Sequence, residues 1–300
     1  MKHFICTNTI TREELEQLFN LSDEIAKNPK KFSQKLNGKI IATLFYEPST
    51  RTRLSFESAI LRLGGGVIST ENALVSASAA KGESLEDTIK IISGYADAIV
   101  IRHFDDNSAV RAAKVSTVPI INAGAGSAHH PTQSLLDAYT IKKLKGTLDN
   151  LSIAFIGDLK LGRTANSLIK LLALYKNIEV YGLSVKGMEL CPEVVKFMQE
   201  NRMTYKPCSG FDDLPYDIDV LYQTRVQRER IKDGSCPSAL LINQQVINKF
   251  SPKTIVMHPL PRVDEISSDV DNDPRALYFQ QAHNGVVTRQ AIFLAILNEV

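Results

Sequence analysis

Two successive series of short apolar runs, each followed by a polar turn or a stretch of helical spacing, restrict the architectures open to this chain. The first series holds KIIATLFY (39–46), GGVIST (65–70), ADAIVIR (96–102) and VPIINAG, with helical stretches near 11–27, 84–95 and 131–143 and one more opened by residues 49–53. The second restarts at NLSIAFIGD (150–158) and continues through IEVYGL, DVLYQT and TIVMHPLP. β-branched runs this short, alternating with helical periods, predict βα units with buried parallel sheets. Two α/β domains joined near 131–149 are therefore expected, each a doubly wound parallel sheet. The closing GVVTRQAIFLAILNEV has the spacing of an amphipathic helix. The small residues of ALVSASAAKGES (73–84) predict a flexible loop.

Composition agrees and removes several classes of function. At 300 residues and 44% hydrophobic content the chain can fill two cores of about 150 residues each. Its 35 basic and 33 acidic side chains leave a net charge of +2, too little excess for a nucleic-acid or membrane-surface binder. Any positive potential must be local. The four cysteines form no CxxC pair and no Cys/His cluster of zinc-ligand spacing, so neither disulfide nor metal is implied. No secretory segment opens the chain and no run approaches the roughly 18 apolar residues of a membrane span, which makes a reduced cytoplasm the expected location.

Ligands of open parallel sheets collect beyond the carboxyl ends of the strands, so the polar residues that follow the apolar runs are the ones to inspect. FYEPSTRTRLSFESAIL (45–61) places Arg51 and Arg53 at the start of a helix that Ser49 or Thr50 can cap, with Leu54, Phe56, Ile60 and Leu63 roughly on one side. Cations at the positive end of a helix dipole are unfavourable unless an anion arrives, and a phosphate dianion would satisfy amides, hydroxyls and guanidinium together. A capped helix with solvated arginines is the plainer alternative. Arg102 and His103 follow a strand, as a ligand-facing cation or as a surface one. His129, His130 and Gln133 precede or open the next helix, with Pro131 suited to its first position; adjacent histidines suit hydrogen bonding better than a shared metal.

In the second series, FIGDLKLGRTANS has Gly157 and Gly162 but no dinucleotide fingerprint, and Arg163 stands where that motif needs close backbone approach. Arg225 and Gln227 follow another strand, as ligand contacts or as part of a solvated charge run. The two prolines of MHPLPR fix backbone carbonyls that could accept from an amine or amide, or simply stiffen a turn. No Ser-His-Asp order, HExxH helix or glycosidase-type acidic pair is present. Arginines, a histidine and amides suit an anionic substrate set and electrostatic catalysis without a protein nucleophile.

Taken in order, STRTR (49–53), KGES (81–84), HPTQ (130–133), DLKLGRT (158–164), TRVQRER (224–230) and HPLPRVDEI (258–266) make nearly the whole chain resemble the carbamoyltransferase family, and within it the catalytic chains of the aspartate branch. The ornithine branch usually carries HCLP and SMG, and neither is present. The resemblance implies transfer of the carbamoyl group of carbamoyl phosphate to the amine of L-aspartate in pyrimidine synthesis, with no cofactor. It implies that Ser49, Thr50, Arg51 and Thr52 hold the phosphate, and that Thr52, Arg102 and His130 touch the carbonyl oxygen. Gln133 and the carbonyls of Leu260 and Pro261 would orient the carbamoyl amide, while Arg163 and Arg225, assisted by Gln227, would grip the aspartate carboxylates. Glu47 and Arg230 would hold the domains closed. Lys81, with Ser78 chosen over Ser76 as its companion beside Ala77, would reach a neighbouring chain's site, making the catalytic unit a homotrimer with shared active sites. The implied fold has a carbamoyl-phosphate domain of residues 1–130 plus 281–300, where the C-terminal helix returns, and an aspartate domain of 131–280.

A carbamoyltransferase with another acceptor, such as ornithine, is the nearest rival; its acceptor carries one carboxylate, which leaves one of two arginines unmatched. A non-catalytic anion-binding protein is the second, and a dinucleotide oxidoreductase the weakest. Some family members bind separate zinc-carrying regulatory chains, others work as bare trimers, and others associate with pathway enzymes; the strength of the resemblance around HPLPRVDEI makes a regulatory partner an expectation.

Overall fold

The computed structural model describes residues 2–71, 82–126, 130–227 and 240–299. The chain divides into two compact units, Met1–Leu135 with Asn284–Val300, and Leu136–His283.

In the first unit, β1 (Ile40–Phe45), β2 (Gly66–Glu71), β3 (Ala98–His103) and β4 (Ile120–Ala125) form a wholly parallel sheet in the order β2-β1-β3-β4. Its helices are α1 (Arg12–Lys27), α2 (Pro29–Phe32), α3 (Thr50–Arg62), α4 (Leu85–Ile92) and α5 (Ser108–Val115). The start of α1 is set by a reciprocal cap in which the Glu14 amide donates to Thr11 Oγ1 at 3.2 Å and the Thr11 amide to Glu14 Oε2 at 2.9 Å. Leu85 and Ile89 of α4 and Ala109 and Ala112 of α5 share a buried cluster with Leu44, Ile99, Ile101 and Ile120 of the sheet. On α3 the buried stripe is Phe56, Ala59 and Ile60, continued by Leu63 directly after the helix, whereas Leu54 is exposed. Leu54 precedes Phe56 by two residues, about 200° around the helix, which corrects its grouping with the apolar side.

α6 (Pro131–Lys145) runs unbroken from the first unit into the second, and α10 (Tyr278–Leu297) runs back. Within the first unit the end of α10 packs on α3: Phe293 meets Phe56 edge-on at 5.9 Å between ring centroids, and Arg289 lies over the Phe56 ring at 4.8 Å while donating to Ser55 Oγ at 3.0 Å. This is the returning C-terminal helix. It begins at Tyr278, earlier than Gly285, because Tyr278 and Gln281 are buried too.

The second unit has β5 (Ser152–Gly157), β6 (Glu179–Ser184), β7 (Thr204–Cys208), β8 (Val220–Gln223) and β9 (Ile255–Met257), all parallel, in the order β7-β6-β5-β8-β9. Its other helices are α7 (Arg163–Leu172), α8 (Pro192–Glu200) and α9 (Gln244–Ile247). The strand β7 gives no apolar run: it is an edge strand, largely exposed, and contains Pro207, which an edge tolerates. Among the described residues, no helix is long and apolar enough to cross a membrane.

Strand order makes one position special in each sheet. Winding reverses between β1 and β3 in the first unit and between β5 and β8 in the second, and a crevice opens beyond the carboxyl ends at such points. The residues that follow these four strands are 46–53, 104 onward, 158–163 and 224–227.

Candidate active site

Beyond β1 and β3, sequence order alone delivers a cation-rich helix start. Phe45 pairs in register with Arg102, and the Tyr46 amide donates to the Arg102 carbonyl at 2.9 Å, so the loop leading to α3 leaves the sheet beside Arg102. Ser49 occupies the cap position of α3, but its side chain makes no capping hydrogen bond; the first-turn amides are left for another acceptor. The two neighbouring arginines have different fates. Arg53 pairs with Glu71 at 2.9 Å and with Glu57 at 3.5 Å, and Glu57 is itself held by Ser69 at 2.6 Å and Thr43 at 3.2 Å. Arg51 has no hydrogen bond or ion pair among the described residues, and although the residue as a whole is exposed, desolvation by the surrounding protein lowers its pKa. One cation is therefore neutralised and the other stands uncompensated at a positive helix end, which is the electrostatic signature of an anion site.

Arg102, only 15% exposed in its side chain, lies 3.5 Å from Glu47. The segment after β4 ends at His130, 4% exposed, whose carbonyl accepts from the Gln133 and Ser134 amides at 3.0 and 3.1 Å and so opens α6. Pro131 takes the first helical position, and Gln133 is buried one turn in.

Beyond β5 and β8 two loops are locked together. Gly157 ends β5 with φ +111°, and a Cβ there would sit 2.3 Å from the Thr224 carbonyl oxygen; only glycine permits that approach. Thr224 donates its hydroxyl to the Ile156 and Asp158 carbonyls at 2.9 and 3.2 Å. Asp158, fully buried, accepts from the Leu161 amide at 2.8 Å and from the Gln227 amide at 3.2 Å, and Gln227 Nε2 donates to the Leu161 carbonyl at 2.9 Å. These bonds place Arg163, 8% exposed at the start of α7, and Arg225 on adjoining loops at the same strand ends.

After β9 the backbone turns through a cis Leu260–Pro261 peptide with Leu260 at φ +57°. His258 holds the turn: its Nδ1 accepts from the Leu260 amide at 2.7 Å, so the proton sits on Nε2, which donates to Glu265 Oε1 at 2.8 Å. Glu265 Oε2 closes the turn by accepting from the Val263 and Asp264 amides at 3.2 and 3.1 Å. Burial pushes the His258 imidazole below its ordinary value of 6.5, against the pull of Glu265. For Glu265, burial works to raise the carboxyl, but the bonds from His258 and the Val263 amide outweigh it and the pKa lies below the usual carboxylate value. Both groups bind protons less readily folded than unfolded, so their contribution is complete above pH 6.5 and is lost as pH falls through the folded values. The melting temperature of the native chain is expected to fall on acidification below about pH 6.5, and the fall to be shallower in His258→Gln; equal slopes would remove His258 from the account.

Family models match almost all of the chain: the aspartate/ornithine carbamoyltransferase carbamoyl-P binding domain over residues 2–143, and the Asp/Orn binding domain over 149–296. The chain belongs to the aspartate/ornithine carbamoyltransferase family. Among carbamoyltransferases of known kind, it is 47% identical over 289 residues to the aspartate carbamoyltransferase catalytic subunit of Clostridium novyi, covering 95% of this chain and 94% of that one. The solved catalytic subunit of Methanocaldococcus jannaschii aspartate transcarbamoylase superposes with a TM-score of 0.92 at 46% identity, covering 99% of this chain and 98% of that chain. A Trypanosoma cruzi aspartate transcarbamoylase solved with carbamoyl phosphate and aspartate gives 0.92 at 34% identity, over 98% and 96% of the two chains.

In this carbamoyltransferase, Ser49, Thr50, Arg51, Thr52, Arg102, His130 and Gln133 lie at or after the carboxyl ends of strands in the first unit, and Arg163, Arg225, Gln227, Leu260 and Pro261 after those of the second. Glu47 lies against Arg102. Ser78, Lys81, His129 and Arg230 lie outside the described residues. Among the described residues no group of His, Cys, Asp or Glu could hold a metal ion. Sequence reasoning missed the braces: Asp158, Thr224 and the His258–Glu265 pair. Asp158 had a usable signal, a lone carboxylate directly after an apolar strand; Glu265 had none, since its partner lies seven residues away across a turn.

Proposed function

We propose that this enzyme transfers the carbamoyl group of carbamoyl phosphate to L-aspartate, with carbamoyl phosphate held by a domain of residues 1–130 plus 281–300 and aspartate by one of residues 131–280. The observation that carries the acceptor assignment is the presence of two arginines, Arg163 and Arg225, on loops locked together by Asp158. Two guanidinium forks suit the two carboxylates of a dicarboxylate.

The first-turn amides of α3, the Ser49 and Thr50 hydroxyls and Arg51 hold the phosphate. Gln133 and the Leu260 and Pro261 carbonyls bind the carbamoyl NH2 and fix the plane of the carbonyl. Arg163 and Arg225, assisted by Gln227, hold the aspartate carboxylates. The neutral α-amine attacks the carbonyl carbon, and the charge that develops on oxygen is met by Thr52, Arg102 and His130. The C–O bond to phosphate then breaks, and the departing phosphate takes the amine proton, giving N-carbamoyl-L-aspartate and phosphate without a side-chain base. Clamping two charged reactants in register supplies much of the acceleration.

N-(phosphonacetyl)-L-aspartate, which joins a phosphonate to aspartate in one molecule, is expected to inhibit competitively against carbamoyl phosphate and to bind more tightly than either substrate. Inhibition no stronger than by free phosphate would count against a site for both.

The remaining features complete the proposal: a homotrimer in the cytoplasm, whose Lys81 and Ser78 act in a neighbouring chain's site, with Glu47 and Arg230 holding the substrate-bound domains closed and a zinc-carrying regulatory chain as partner. Its test is subunit mixing. Inactive Lys81→Ala chains combined with inactive Arg51→Ala chains should recover activity, because some sites then draw both intact groups from different chains; failure in demonstrably mixed oligomers would refute sharing.

A further inference from the structure

Behind the Leu260–Pro261 turn, the second unit carries a buried polar chain for which the proposed reaction has no use as it stands. Asp137 of α6 is fully buried and accepts from Tyr222 of β8 at 2.7 Å through Oδ2, and from Gln281 Nε2 of α10 at 2.6 Å through Oδ1. Gln281 turns its Oε1 to the His258 amide, which donates at 2.9 Å. From His258 the chain runs on to the Leu260 amide and to Glu265. Tyr222, Gln281 and His258 are each no more than 1% exposed.

Such a network is costly unless every member is satisfied, and an apolar core would do as well for stability alone. Its geometry has a direction. A carboxylate can only accept, so Asp137 forces Gln281 to present its NH2 to α6 and its carbonyl to His258. The amide orientation of Gln281 is thereby fixed, and with it the height of the strand end from which the turn springs.

We propose that Asp137, acting through Gln281, is a positioning residue that aims the Leu260 and Pro261 carbonyls at the carbamoyl NH2. This role rests on the carbamoyl-transfer reading. Gln281→Leu removes both bonds of the relay, and Gln281→Glu supplies the conservative control. A glutamate there is forced to share one proton with Asp137, since two buried carboxylates in contact cannot both ionise; it then donates to Asp137 and still accepts from the His258 amide. The titratable groups bonded into the network are Asp137 from α6, Tyr222 from β8, and His258 with Glu265 after β9.

The experiment measures KM for carbamoyl phosphate, kcat, and the inhibition constant of inorganic phosphate for the native chain and both variants. Gln281→Leu is expected to raise KM for carbamoyl phosphate or lower kcat by about tenfold in combination, with phosphate inhibition unchanged because the phosphate cradle belongs to the first unit. Gln281→Glu is expected to stay near native activity at low pH and to fall below it as pH rises and the shared proton is lost. A uniform loosening would weaken phosphate binding in step and would overturn the proposal, as would native kinetics in Gln281→Leu or a pH-independent Gln281→Glu. If Gln281→Leu does not fold, the pH profile of Gln281→Glu decides alone. A native chain silent with carbamoyl phosphate and aspartate would overturn the functional reading and this role with it, whereas native turnover with unaffected variants overturns this role only.

Discussion

Arg51→Ala is expected to lose about a hundredfold to a thousandfold in turnover, the cost of removing a group aimed at developing charge, while melting no lower than the native chain. The second half of that expectation follows from the first-turn electrostatics. Arg51 has no ion pair to lose among the described residues, and a cation at the positive end of α3 costs about 0.3–1 kcal/mol in the absence of an anion. Its neighbour should behave the other way. Arg53→Ala removes the ion pairs to Glu71 and Glu57 and should lower the melting temperature by more than it lowers turnover. Parallel thermal melts and steady-state rates check both; a fully active Arg51→Ala would remove the phosphate site from the account.

The second large effect is expected in the second unit. Arg225→Met and Arg163→Met should each raise KM for aspartate by about a hundredfold or more, since each forfeits a charge-assisted fork on a carboxylate, and should leave KM for carbamoyl phosphate nearly unchanged. Lysine should not rescue either position, because a single ammonium cannot span both carboxylate oxygens. A matched rise in both KM values would mean that the arginines hold the fold together instead of the acceptor.

Most of the architecture was legible because a parallel strand buried on both faces must be almost wholly apolar, as in Ile99–Ile101 and Ile153–Ile156, and in Ile41–Phe45 but for Thr43. The same rule hid β7, whose edge position releases it from the need to be apolar. Site residues were legible to the extent that they carry charge after a strand, which is why Arg51, Arg102, Arg163 and Arg225 could be singled out. Which of two neighbouring arginines is paired could not be read: Glu71 lies eighteen residues beyond Arg53 in the sequence and reaches it only through the β1–β2 pairing. Nor could the pairings of the braces be read: Asp137 to Gln281 and Asp158 to Gln227 are contacts of long sequence separation, so even where a carboxylate such as Asp158 stands out after an apolar strand, its partner does not.

The most direct test of the central claim is phosphate release by the purified chain supplied with carbamoyl phosphate and either L-aspartate or L-ornithine. Turnover with aspartate and none above background with ornithine is the predicted result. Turnover with ornithine would overturn the two-arginine assignment of the acceptor, and silence with both would contradict carbamoyl transfer by this chain.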